Sequence, residues 1–293
     1  MTDPPWLDRQ LYPFAPHDFW HPAGRVHYVD EGSGPPLVLL HGNDTWSFLY
    51  RHLIGALAGR FRCLAPDYLG FGLSEKPPRW SYRPADHAAV VAALVDALGL
   101  DDITLVVHDW GGPIGLSYAI ERPGRVRRVV AMNTWMWPLR GQWRFEGFAR
   151  LVGGPLGRML VRRLHLFPRV LMPLLVVDKS RWDRKIRAHY VRPQPRPADR
   201  AGVAAFPRHL LASTPWLEGL WARRRRLARL PALLVWGLRD PAFRRRELRT
   251  WEGIFHNHVT LARDDAGHYV AEDLGPELAA VVGEFLGVPP AAR

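Results

Sequence analysis

The sequence reads ITLVVHDWGGPIGL from residue 103 to residue 116. Residues 103–107 form a nearly continuous apolar run, which is typical of a strand buried on both faces of a sheet. Two glycines at 111 and 112 permit a tight turn, and residues 112–120 are predicted to form a helix. The stretch has the strand, turn and helix of a nucleophile elbow, with Asp109 at the nucleophile's position. A carboxylate here also suits a simple helix N-cap, so the motif alone leaves both interpretations open.

Strands and helices alternate on both sides of this stretch. We predict a hairpin over 19–23 and 25–30, strands over 37–40, 62–66, 126–132, 231–236 and 259–261, and helices over 46–57, 84–98 and 270–285. Because parallel neighbouring strands need crossover connections, this order indicates a parallel sheet with helices on both faces.

The alternation stops between residues 138 and 216. Apolar residues there have helical spacing, and no strand-like run appears. We therefore predict one α/β core domain formed by residues 1–137 and 217–293, with a helical cap domain formed by residues 138–216.

Two further polar residues follow predicted strands. Asp240 comes shortly after the strand that ends at Trp236, and His268 follows the strand that ends at Leu261. Either residue alone is more often a turn residue or a structural histidine. Together with Asp109 they give the order nucleophile, acid, histidine, which is known from catalytic triads. Because carboxyl ends of parallel strands meet at one edge of the sheet, we expect the three side chains to converge.

Three stretches resemble the haloalkane dehalogenases of the α/β-hydrolase fold. They are HGNDTWSFLYR at 41–51, DYLGFGLS at 67–74 and VHDWGG at 107–112. The resemblance covers most of the core and becomes weaker between 138 and 216. It implies an α/β fold with a mostly parallel eight-stranded sheet flanked by helices and carrying an inserted helical cap.

The same resemblance implies the site residues. Asp109 would be the nucleophile, His268 the general base, Asp240 the acid that orients it, and Asn43 with Trp110 the halide ligands. A carboxylate suits attack on a saturated carbon because it forms an alkyl ester that water can cleave, whereas serine would form an ether. This chemistry requires no metal and no organic cofactor.

Two positions depart from common patterns of the family. In another subfamily the acid follows the strand that ends at Met132, but here Asn133 stands at that point, which favours Asp240. Asp44 stands where the family usually has proline. We expect an extra carboxylate beside an anion site to weaken halide binding.

Other functions fit the motifs less well. An epoxide hydrolase would share Asp109 but would use two cap tyrosines, and the predicted cap contains only Tyr190. A haloacid dehalogenase would have arginine where Trp110 stands, and an esterase would have serine at 109. A scaffold without catalytic activity would be expected to have lost a triad position, and none is missing.

Composition limits the partners and the location. The 293 residues are 47% hydrophobic and 23% charged, as in soluble globular proteins. No apolar run approaches the roughly 20 residues of a membrane span. A secretory signal is not apparent, and Cys63 is the single cysteine, so we expect a cytoplasmic protein without disulfides.

The formal net charge of +12 raises the question of nucleic acid. The densest arginine runs, 223–226 and 244–246, accompany no nucleic-acid motif. We expect a small apolar halogenated substrate, water and a halide product as partners, with neither nucleic acid nor a membrane. Self-association is compatible with the arginine-rich, tryptophan-rich surface.

Overall fold

An eight-stranded sheet organises the protein, for which a computed structural model describes residues 3–288. Its strands are β1 (His17–His21), β2 (Gly24–Glu31), β3 (Pro36–Leu40), β4 (Arg62–Pro66), β5 (Ile103–Asp109), β6 (Val126–Thr134), β7 (Ala232–Gly237) and β8 (His258–Arg263). Their spatial order is β1-β2-β4-β3-β5-β6-β7-β8. Strands β3 to β8 are parallel, whereas β1 and β2 pair antiparallel with their neighbours.

Burial explains the composition of the central strands. In β3 successive side chains alternate between the two hydrophobic cores, one on each face of the sheet. Because both faces are covered by helices, β3 is apolar throughout rather than alternating with polar residues. Cys63 in β4 is fully buried in one of these cores.

Twelve α-helices accompany the sheet within residues 3–288. They are α1 (Arg51–Leu57), α2 (Pro84–Ala97), α3 (Gly111–Glu121), α4 (Trp143–Gly153), α5 (Pro155–Leu164), α6 (Met172–Leu175), α7 (Arg184–Val191), α8 (Ala201–Ala212), α9 (Thr214–Ala222), α10 (Arg245–Glu252), α11 (Val270–Leu274) and α12 (Pro276–Phe285). We call residues 138–216 the helical insertion; it contains no strand and ends inside α9.

The α/β fold expected from the sequence is confirmed, although two predicted helices differ in detail. The helix expected over 46–57 starts with a 3-10 turn over Ser47–Tyr50, and α1 follows it. Residues 270–285 were predicted as one helix, but the structure has two, α11 and α12. Gly275 separates them with a positive φ of 52°, and Pro276 begins the second helix. A proline removes a backbone donor and clashes with the preceding turn, so it starts a helix more readily than it continues one.

A buried ion pair joins two core helices and also receives a hydrogen bond from the helical insertion. Arg51 at the start of α1 donates two hydrogen bonds to Glu272 in α11, at 2.6 and 2.7 Å. The hydroxyl of Tyr190 in α7 donates to the same carboxylate. All three side chains are buried, so the charges are paired and largely shielded from water.

Candidate active site

Asp109 lies at the end of β5 in a strained turn. Its φ is +50°, a left-handed conformation that is uncommon outside glycine. Neighbouring glycines make this turn possible: a Cβ atom on Gly42 would lie 2.3 Å from the Cβ of Asp109, and one on Gly112 would lie 1.9 Å from Thr134 Oγ1. The elbow therefore depends on the absence of side chains at two specific positions.

The two carboxylate oxygens of Asp109 have different surroundings. Oδ1 accepts a hydrogen bond from the backbone N–H of Asn43 at 2.8 Å, and the backbone N–H of Trp110 also donates to the carboxylate. Oδ2 lies 3.8 Å from Nε2 of His268. Burial raises the pKa of Asp109, although His268 and the two N–H donors oppose this shift.

Asp240 fixes the orientation of His268. The Nδ1–H of His268 donates to Asp240 Oδ2 at 2.8 Å, which leaves Nε2 directed at Asp109. Burial disfavours the imidazolium, but Asp240 and Asp109 outweigh it and raise the pKa of His268 to about 9. The charge on this imidazole is thus coupled to the charge on Asp109.

Asn133, which stands where another subfamily has its acid, holds Asp240 in place. Its side-chain amide donates to Asp240 Oδ2 at 2.9 Å, and its oxygen accepts the backbone N–H of Gly237 at 2.8 Å. The backbone N–H of Ala242 donates to Asp240 Oδ1 at 2.7 Å. The alternative acid position is therefore occupied by a group that supports the acid on the next strand.

All five residues singled out in the sequence line one cavity of about 300 Å³, and they are Asn43, Asp109, Trp110, Asp240 and His268. Most of the remaining wall is apolar and comes from the helical insertion, namely Phe145, Phe148, Phe167, Leu171, Leu175, Pro207 and Leu210. The structure brings these five side chains together, while their individual roles stay predictions.

Trp110 and Asn43 offer hydrogen-bond donors to this cavity. Within residues 3–288, neither the indole N–H of Trp110 nor the side-chain N–H of Asn43 donates to another protein group. Trp110 is held edge-on by Trp135 and Phe206, with ring centroids 4.6 and 5.3 Å away. Both N–H groups therefore lie near Asp109 and stay available to bind a ligand in the cavity.

Two other histidines near Asp109 have structural contacts. His41 accepts the backbone N–H of Tyr68 at Nε2 and donates from Nδ1 to the carbonyl of Gly42. His108 donates from Nε2 to the carbonyl oxygen of His268 at 2.8 Å. Burial lowers the pKa of His41 to about 4 and that of His108 to about 3, so both rings are neutral at pH 7.

Asp44 forms a second carboxyl group on the cavity wall. It is 5% exposed, and the hydroxyl of Tyr269 donates to its Oδ1 at 2.9 Å. Burial raises the pKa of Asp44 to about 8, with a contribution from Asp109, while Tyr269 and His268 oppose it. Its φ of +58° is out of reach for proline, so a proline at this position would require another loop conformation.

Residues 3–288 were searched for groups of metal-binding side chains and for helices that could span a membrane. No three His, Cys, Asp or Glu side chains in residues 3–288 are grouped so that they could hold a metal ion. Over the same residues, no helix has both the length and the apolar character that a bilayer crossing demands.

A family model and several known proteins match this chain. The α/β-hydrolase fold model matches residues 35–273. Haloalkane dehalogenase 2 of Mycobacterium tuberculosis H37Rv is 44% identical over 283 residues, covering 96% of this chain and 98% of that protein. The cis-3-alkyl-4-alkyloxetan-2-one decarboxylase of Shewanella oneidensis MR-1 is 32% identical, covering 94% and 89%.

Solved structures of haloalkane dehalogenases also superpose on this chain. The haloalkane dehalogenase from Agrobacterium tumefaciens C58 superposes with a TM-score of 0.81 at 28% identity, covering 94% of this chain and 97% of that structure. A putative ancestral haloalkane dehalogenase superposes with a TM-score of 0.78 at 28% identity, covering 92% and 99%.

Proposed function

We propose a mechanism from the premise that this chain belongs to the α/β-hydrolase family and, within it, to the haloalkane dehalogenases, hydrolases that act on carbon–halogen bonds. In this mechanism Asp109 forms a covalent alkyl ester. The observation that carries the proposal is the alignment of Asp109, His268 and Asp240 in one largely apolar cavity.

In the first step, Asp109 Oδ2 attacks the carbon that bears the halogen. The new carbon–oxygen bond forms as the carbon–halogen bond breaks, and the halide leaves with the bonding electrons. The indole N–H of Trp110 and the side-chain amide of Asn43 stabilise the departing anion without transferring a proton. Oδ1 becomes the carbonyl oxygen of the ester.

In the second step, His268 removes a proton from water, and the resulting hydroxide attacks the carbonyl carbon of the ester. Negative charge develops on Oδ1, to which the backbone N–H of Asn43 already donates, and the backbone N–H of Trp110 donates to the same carboxylate. The bond between the acyl carbon and the alkyl oxygen then breaks, and the leaving alkoxide takes the proton held by His268 and departs as the alcohol. The carboxylic acid left on Asp109 loses its proton and becomes the carboxylate again. The net products are an alcohol, a halide and a proton.

The electrostatic coupling between Asp109 and His268 favours alkylation first and hydrolysis second. While Asp109 is ionised, it helps to keep the imidazolium of His268 protonated. Alkylation removes the negative charge from Asp109, so the pKa of His268 falls and its proton is released. His268 therefore becomes a base at the stage where hydrolysis needs one.

We also propose that the two predicted domains have different roles in the reaction. Residues 1–137 and 217–293 supply the reacting groups, and the helical insertion acts as a cap that forms the apolar wall. An apolar wall of this kind suits neutral haloalkanes. We further propose a cytoplasmic location, in keeping with the single buried cysteine.

The competing epoxide hydrolase function has less support. Tyr190 is the one tyrosine of the helical insertion, and its hydroxyl donates to Glu272 instead of lining the cavity. A lactone decarboxylase is the other candidate, because the Shewanella relative with that name covers most of this chain.

Halide release from terminal bromo- and iodoalkanes tests the proposal. The wild type should release halide, and Asp109→Ala should reduce the rate by at least about a thousandfold, because the nucleophile is lost. His268→Ala should stop after the first step, so mass spectrometry should detect an added alkyl group on Asp109. His256→Ala, an exposed loop variant, serves as the matched control and should behave as the wild type.

Two parallel panels distinguish the alternatives. Diol formation from epoxides without halide release would favour an epoxide hydrolase. Loss of carbon dioxide from cis-3-alkyl-4-alkyloxetan-2-ones without halide release would favour a decarboxylase. Halide release from His268→Ala at the wild-type steady rate, with no adduct, would contradict the covalent mechanism.

A further inference from the structure

Large apolar side chains on the protein surface are concentrated on the helical insertion. Ten such side chains are exposed within residues 3–288, and eight of them lie between residues 143 and 174. We call these eight the apolar patch: Trp143, Phe148, Leu151, Leu156, Met159, Leu164, Val170 and Leu174. Trp143, Leu151 and Leu174 are 81%, 76% and 71% exposed, so they are almost fully hydrated.

Helix α4 shows why this exposure is unusual. One of its faces is buried through Phe145, Ala149 and Val152, as expected for a helix that packs on a core. The solvent face nevertheless carries Trp143 and Leu151, two turns apart. A helix with apolar residues on both faces is normally covered on both faces.

The net charge of the chain also lies in the helical insertion. Residues 138–216 contain sixteen Lys and Arg and four Asp and Glu, a net charge of +12, and the rest of the chain has twenty-four of each. Five exposed arginines lie in or next to the same stretch of sequence as the apolar patch, namely Arg140, Arg150, Arg162, Arg163 and Arg169. Between residues 140 and 175 the single acidic residue is Glu146.

These two features together select one kind of partner. A second copy of the chain would match the apolar side chains but would bring two faces of high positive charge together. A nucleic acid would match the charge but would leave the leucines and Trp143 in water. The surface of an anionic lipid bilayer satisfies both, because it attracts arginine and accepts apolar side chains below its headgroups.

We propose that the apolar patch docks on an anionic lipid bilayer. The sequence led us to expect no membrane partner because no segment is long enough to span one, but a surface contact needs no span. Phe148 belongs to the patch and also lines the cavity, so docking turns this side of the cavity towards the bilayer. Apolar compounds concentrate in that layer. The docking itself does not depend on the reaction proposed above.

Vesicle co-sedimentation tests the docking. The full-length protein is mixed with vesicles of phosphatidylglycerol and phosphatidylcholine in equal parts, or of phosphatidylcholine alone. We expect sedimentation with the anionic vesicles only. The double variant Leu151→Gln/Leu174→Gln keeps the net charge, and we expect it to bind about tenfold more weakly, because two apolar side chains no longer enter the bilayer.

Trp20→Gln/Val259→Gln is the matched control, since these side chains are 75% and 57% exposed on strands β1 and β8. It should bind as the wild type does, and both double variants should keep the wild-type melting temperature. Equal weakening in both double variants would overturn the proposal, as would unchanged binding of the patch variant, which would indicate attraction by charge alone.

Two further results would assign the patch to another partner. Self-association without lipid that the patch variant abolishes, combined with no binding to anionic vesicles, would make it an interface between copies. Binding of duplex DNA with equal affinity by the wild type and the patch variant, again without vesicle binding, would indicate a nucleic-acid surface. Either result would overturn docking on lipid.

Discussion

Asp44 is a carboxyl group in a place where a negative charge would oppose the reaction. It shares the cavity with Asp109, and its charged form would repel both the nucleophile's charge and a departing halide. The sequence suggested that Asp44 weakens halide binding. Its burial changes that expectation, because the pKa of about 8 keeps the group protonated, and therefore neutral, at pH 7.

This gives a prediction for the pH profile. Above pH 8 Asp44 loses its proton, and we expect halide release by the wild type to fall as the pH rises through that value. In Asp44→Asn the side chain cannot ionise but still accepts the hydrogen bond from Tyr269, so its rate should not fall over the same range. Steady-state rates between pH 6 and 10 measure this. An identical alkaline decline in both proteins would contradict the assignment to Asp44.

Several contacts at the residue scale could not be predicted from the sequence. Asp44 and Tyr269 lie 225 residues apart in the chain, and no local pattern indicates that they meet. Asn133 could be noted as a missing acid, but its bond to Asp240 depends on how strands β6 and β7 pair. In contrast, Asp109, Asp240 and His268 each follow a strand, which is a local signal, and their catalytic roles await the variants described above.

Helices and strands were predictable where burial leaves a strong local pattern. Inner strands such as β3 read as continuous apolar runs because both faces are covered, and their bounds were predicted to within about two residues. The division into α11 and α12 was missed because apolar residues continue at helical spacing across the break. Gly275 and Pro276 carried the signal for it, and a glycine followed by proline is a standard helix boundary.

The ion pair between α1 and α11 gives a prediction at the same scale. Glu272→Gln leaves the buried guanidinium of Arg51 without its charge partner and should lower the free energy of unfolding by about 3 kcal/mol. Asp102→Asn is the control, because it breaks an ion pair with Arg127 in which both side chains are more than 60% exposed. That change should lower the free energy of unfolding by less than about 1 kcal/mol. Urea unfolding measures the free energy of unfolding of both variants. Equal decreases in the two variants would contradict the prediction that the buried ion pair contributes more than the exposed one.

Buried neutral histidines set the acid stability of the whole molecule. Burial lowers the pKa of seven histidines below the ordinary value of 6.5, His52 and His189 among them. The shift is large in the other five, which are His41, His87, His108, His165 and His209. When the pH falls below 6.5, these side chains take up protons in the unfolded chain but stay neutral in the folded one down to about pH 4. Protonation therefore favours unfolding over this range.

We expect the urea midpoint to be clearly lower at pH 5 than at pH 7. Each such histidine contributes a slope of up to about 1.4 kcal/mol per pH unit, and Asp44, whose raised pKa gives a slope of the opposite sign, offsets only one of them. His87 lies among aromatic rings and its Nε2 has no partner within residues 3–288, so His87→Phe should fit the site and reduce the slope. A midpoint that is equal at pH 5 and pH 7 in the wild type would refute the prediction.

The thiol of Cys63 does not react with labelling reagents in the folded protein. Burial raises the pKa of its thiol to about 12, and the side chain is fully covered, so labelling reagents neither reach it nor find the reactive thiolate. It is also the single cysteine of the chain. A cysteine introduced by Leu151→Cys would therefore be the one thiol that takes up a fluorophore or a spin label. Spectroscopy could then follow α4 in the otherwise native protein.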